Sequence, residues 1–146
     1  MLYKKLFIFL FLMFGTNLVL ADHAQRHQII DDMSIYLGVI PAQLTQKYGI
    51  MHGGATDEEH SYHIVIAIFD TKSGKRITNA KLKTTVALLG MKGTTKDLEP
   101  MHDVLLSYGN YFTMHQAAHY TISIEIQRAG GKAKSVAHFI FKRPKD

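Results

Sequence analysis

From Tyr120 to Gln127 the chain alternates without a break: Tyr120, Ile122, Ile124 and Ile126 are apolar, whereas Thr121, Ser123, Glu125 and Gln127 are polar. A strict two-residue period puts one set of side chains on a buried face and the other in water, so this segment can only be an extended strand with one face covered. Ala129, Gly130 and Gly131 then supply a turn into a last strand, Ser135 to Lys142, and the two runs read as a hairpin. Asn79 to Leu89 alternates in the same way, with Leu82, Thr84, Val86 and Leu88 on the covered face. Tyr62 to Phe69 is apolar on both faces, as a central strand between two layers would be, and Asp70-Thr-Lys-Ser-Gly74 after it has turn chemistry. Met33 to Ile40 forms a first strand, stopped by Pro41, with a short helical turn through Gln43 to Tyr48 to follow. Gly49, Gly53 and Gly54 mark a loop, and no long amphipathic helix appears. This pattern specifies an all-β antiparallel β-sandwich.

The chain begins with Lys4 and Lys5, continues through an apolar run from Leu6 to Phe14, and reaches Val19-Leu20-Ala21, the order of a cleavable secretory signal. The run is too short to span a bilayer, for which ~20 apolar residues are needed. Residues 1–21 are therefore expected to be a signal peptide, 22–32 a flexible lead-in, 33–142 the sandwich domain and 143–146 a tail. The mature chain has no expected transmembrane span, and export from a bacterial cytoplasm places it in the periplasm. Of the 17 basic residues two leave with the signal, so the mature excess over 12 acidic residues is small and scattered. Nucleic acid is not an expected partner.

The chain has no cysteine, which removes disulfides, thiol nucleophiles and metal-thiolate sites at once. Soft-metal ligation must then fall to methionine and histidine, and all nine histidines follow residue 21. Two groups stand out: Met51-His52 with His60 and His63, and Met101-His102 with Met114-His115 and His119. If 103–108 and 110–114 run side by side about a bend at Ser107 to Asn110, Met101 and Met114 meet at one end of the sandwich, within reach of His60 or His63. The candidate metal ligands are accordingly Met101, Met114, His63, His60, His102 and His115, with copper as the ion. Each also has a packing or surface reading: Met101 and Met114 as core plugs, His63 as a hydrogen-bonded core histidine, and His102 and His115 as solvated loop residues. No catalytic constellation appears. The acids Asp57, Glu58 and Glu59 are adjacent in one loop, there is no Gly-x-Ser-x-Gly elbow, and Gly49 to Gly54 lacks the ending of a phosphate loop. An enzyme is not expected.

The series Tyr62 to Ala80, then Tyr108-Gly-Asn-Tyr-Phe112, then Tyr120 to Ile126 resembles small exported immunoglobulin-like domains of the YtkA-like and FixH-like kind. More distantly it is similar to CopC-like and PCuAC-type copper-handling domains. The resemblance implies an immunoglobulin-like (cupredoxin/CopC-like) sandwich and a periplasmic protein that binds or delivers copper through Met and His ligands. It departs from the PCuAC pattern at the downstream His-x-Met pair, because His138 is followed by Phe139 and Ile140. The competing function is a non-metal accessory domain that docks on a membrane transporter or oxidase-assembly complex through a sheet edge or through Tyr108, Tyr111 and Phe112.

Overall fold

The computed structural model describes residues 26–45, 59–101 and 106–145. The expected signal peptide, Met51-His52, the acids Asp57 and Glu58, and His102 lie outside the described residues. Eight strands follow one another: β1 (His27–Ile30), β2 (Met33–Pro41), β3 (Ser61–Asp70), β4 (Lys81–Leu88), β5 (Thr94–Pro100), β6 (Tyr108–Thr113), β7 (His119–Gln127) and β8 (Ser135–Lys142). A single helical turn, α1 (Ala42–Thr45), leaves β2 where Pro41 ends it.

All pairings are antiparallel, in the spatial order β1-β2-β3-β6-β5-β4-β7-β8. Strands β4, β5 and β6 form a meander and β7 returns beside β4, which is a Greek key. The fold is the expected all-β antiparallel sandwich. Its two sheets share β5: Thr94 to Leu98 pair with β4 in one sheet, while Glu99 and Pro100 pair with β6 in the other. Thr94-Thr-Lys-Asp-Leu-Glu-Pro100 buries only Leu98, so nothing apolar in this strand announces it.

The alternating runs place the core. Ile64, Ile66 and Ile68 of β3 face Ile122, Ile124 and Ile126 of β7 across the interior, with Met33, Ile35, Tyr108, Phe112, Phe139 and other apolar residues between them. The outer face of β3 is covered only in part: Val65, Ala67 and Phe69 are half-buried. β3 is therefore not apolar on both sides because two layers bury it. Its outer face is closed by α1 at one end and left open at the other.

Two expected boundaries move. His27 to Ile30 is not a loose lead-in, because it pairs in register with Met33 to Tyr36 through a turn in which Asp31 and Asp32 take positive φ of 46° and 61°. Arg143 is not part of a tail but is 2% exposed. β1 and β8, the two ends of the strand order, face each other across a seam bridged by side chains. The Gln28 amide donates to the His138 carbonyl and accepts from the His138 N–H, so one side chain makes the pair of bonds that a neighbouring strand would make. Ser135 donates to Asp31, and the Arg26 guanidinium lies over the Phe141 ring.

Candidate metal centre

The two methionines do not meet. Tyr108 to Thr113 is one uninterrupted strand with no bend at Ser107 to Asn110, so its two ends are far apart. Met101 follows β5 and sits opposite Ser107: its N–H donates to the Ser107 carbonyl at 2.7 Å, and the Ser107 hydroxyl reaches its sulfur at 3.5 Å. Met114 ends the other side of β6. The rise from Ser107 to Met114 at ~3.3 Å per residue separates the two methionines by more than ~20 Å, far beyond a shared coordination sphere. Met101 instead borders a cavity of about 300 Å³ with Thr78, Pro100, Leu106, Ser107 and Tyr108.

His63 is removed from Met114 in another way. It shares the outer parity of β3 with Val65 and Ala67, is 1% exposed, and stacks on Tyr111 with ring centroids 4.6 Å apart. Thr45 of α1 closes over this pair, its hydroxyl 3.1 Å from the Tyr111 hydroxyl. The packed-histidine reading fits this position. The aromatic docking patch expected at Tyr108, Tyr111 and Phe112 is likewise interior, since all three are buried. Exposed aromatic surface lies instead on β2 and β3, where Tyr36 and Phe69 floor an open groove of about 700 Å³ beside Ile29 and Arg76.

At the Met114 end several candidates converge. His60, just before β3, accepts the Met114 N–H at its carbonyl (2.9 Å), which extends the β3–β6 ladder by one pair. His115 follows at once, in a loop held by Tyr120, whose hydroxyl accepts from the Gln116 N–H and donates to the Gln116 carbonyl. The His60 and His115 rings stand edge to face with centroids 5.5 Å apart. Two imidazoles that bind one ion through nitrogen at ~2.0–2.1 Å bring their centroids to roughly 5–6 Å, so this pair has the spacing of two ligands. The Met114 side chain is fully buried in the hydrophobic core. Among the described residues no group of three or more His, Asp or Glu could hold a metal ion, and the two rings are the imidazoles they bring together here.

A residue outside the expected set completes the arrangement. The Arg143 N–H donates to the Ala118 carbonyl, which draws the end of β8 against the 114–118 loop. Its guanidinium Nη2 lies 2.8 Å from His60 Nδ1, Nη1 donates to the Pro144 carbonyl, and the group sits over the Tyr62 ring. Arginine only donates, so His60 Nδ1 is an acceptor and the ring hydrogen is on Nε2. The signal for Arg143 was present in the chain: Ala137, Phe139 and Phe141 point inward, and position 143 continues their parity.

The sequence matches no protein-family model and no curated protein, so the YtkA-like and FixH-like resemblance gains no family match. Among the described residues no helix is long and apolar enough to cross a membrane. Solved structures do share the fold. A DUF4426 family protein from Pseudomonas aeruginosa PAO1 superposes with a TM-score of 0.60 at 14% identity, covering 83% of this chain and 98% of that one. FetP of uropathogenic Escherichia coli strain F11, expressed in the periplasm and studied as isolated, gives 0.64 at 14% identity, with coverages of 82% and 93%. A copper-bound variant of FetP gives 0.62 at 11% identity, with coverages of 82% and 95%. At these identities the likeness is one of fold: this chain is similar in architecture to FetP and to the DUF4426 protein.

Proposed function

We propose that this chain is an exported periplasmic copper-binding protein, and that His60 and His115 are the nitrogen donors of its site. The observation that carries the reading is the imidazole pair at 5.5 Å, assembled where the ends of three strands meet. Copper suits the donors on offer: in a chain without cysteine, imidazole accepts either copper state, and Cu(I) is content with few ligands. The copper-bound FetP variant with the same fold supports the same ion. Met101, on the far side of β6, and His63, packed under α1, are assigned no part in this site. The role is binding and handing on an ion rather than catalysis.

The purified domain is expected to take up about one equivalent of Cu(I) in competition with a colorimetric chelator. The double variant His60→Ala and His115→Ala should lose that binding, whereas Met101→Leu should keep it. Wild-type affinity in the double histidine variant would remove the site.

A further inference from the structure

We propose that Arg143 is a release latch for the copper site: it holds Nδ1 of His60 in the metal-free protein, yields that atom to Cu(I), and recovers it as the ion leaves. The proposal rests on the copper reading for the position of the ion, and on the arginine geometry for everything else.

With its hydrogen on Nε2, the neutral His60 ring has a single lone pair, at Nδ1, and the guanidinium occupies it at 2.8 Å. An ion that binds at Nδ1 must take that nitrogen from Arg143, and one that binds at Nε2 would move the ring hydrogen to Nδ1, where the guanidinium can no longer donate. The arginine is not a surface side chain that drifts aside freely. It is 2% exposed, its backbone is bonded to Ala118, and its guanidinium is also engaged by the Pro144 carbonyl and the Tyr62 face. When displaced it stays next to the ring and competes as an intramolecular donor, without having to diffuse back. A charge-assisted hydrogen bond made in a dry setting is worth enough to cost the ion about 10- to 100-fold in affinity. The arrangement suits a carrier that must give up its ion. A protein that stores copper would gain nothing from a buried cation against its ligand.

The test uses the whole mature chain and Cu(I) under anaerobic conditions. Arg143→Met should tighten Cu(I) binding about 10-fold or more and slow its transfer to a competing chelator, whereas Arg143→Lys, which keeps a charged donor, should stay close to the wild type. Unchanged or weaker binding in a folded Arg143→Met protein overturns the latch. A second measurement needs no substitution: nitrogen-detected histidine NMR of the wild type should show His60 with hydrogen on Nε2 before copper and ligation through Nδ1 after it. Ligation through Nε2 overturns the proposal even if the variants fail to fold. The two readings fail separately. Wild-type Cu(I) affinity in the double histidine variant removes the site, whereas lost binding in that variant together with a silent Arg143→Met removes only the latch.

Discussion

Thr84 sits on the inner face of β4 between Leu82 and Val86, fully buried, and its hydroxyl has no hydrogen-bond partner among the described residues. A buried hydroxyl that gives up water without replacement destabilises the fold, while its methyl group already packs as valine would. Thr84→Val should raise stability by about 1 kcal/mol, read as a higher urea midpoint at unchanged slope. A lower midpoint would mean that the hydroxyl is satisfied in solution. The period that places Thr84 in the core was legible in the sequence, because Leu82, Thr84 and Val86 alternate with lysines and threonine. What each site residue touches was not. His63 reads equally well as a ligand or as packing until α1 is seen to close over Tyr111, and α1 is a single turn with no periodic signature.

The turn that joins β3 to β4 is organised by one carboxylate. Asp70 accepts from the Ser73 N–H, the Ser73 hydroxyl and the Lys72 N–H, and Gly74 completes the turn at a φ of 66°, which favours glycine. The Ser73 N–H foremost, then its hydroxyl and Lys72, with Arg128 nearby, holds the Asp70 carboxyl below its ordinary value of 3.8. A folded-state pKa lower than the unfolded one contributes stability that is present above the unfolded value and lost as pH falls through the folded value. Thermal unfolding should therefore show Asp70→Asn less stable than wild type near neutrality, with the gap closing below about pH 3.8. A gap that stays constant down to pH 2 would show that the charge contributes nothing. This turn was legible as Asp-Thr-Lys-Ser-Gly, and so were β3, β4, β7 and β8. β5 was not, because its polar residues line the corner between two sheets where only Leu98 turns inward. Without β5 nothing in the sequence fixes the register of β6, and Ser107 to Asn110 has the residues of a bend although the ladder to β3 runs straight through Tyr108 to Asn110. A bend there would bring Met101 and Met114 together, whereas the straight strand separates them and pairs Met114 with His60.

Taken whole, the molecule is one antiparallel sheet wrapped on itself, with β5 turning the corner and a side-chain seam between β1 and β8. The Gln28 amide at that seam guards a strand edge that would otherwise offer its peptide groups to another chain. The wrapping also decides where the chain can be cut. β1 begins where β8 ends, with the Arg26 guanidinium over the Phe141 ring, so the order of the strands along the polypeptide could be rotated without crossing any ladder. A circular permutant that joins Lys145 to Arg26 through a short glycine-serine link and opens the chain between Gly130 and Gly131 should fold with the same circular dichroism and cooperative melting as the parent. The new ends lie at the far end of the sandwich from His60, in a turn where Gly130 carries a φ of 76° and no ladder bond is broken. An unfolded permutant would mean that the seam is not a true juncture, whereas a folded one would offer its new ends at Gly130 and Gly131 for fusion to a membrane anchor or to a copper acceptor.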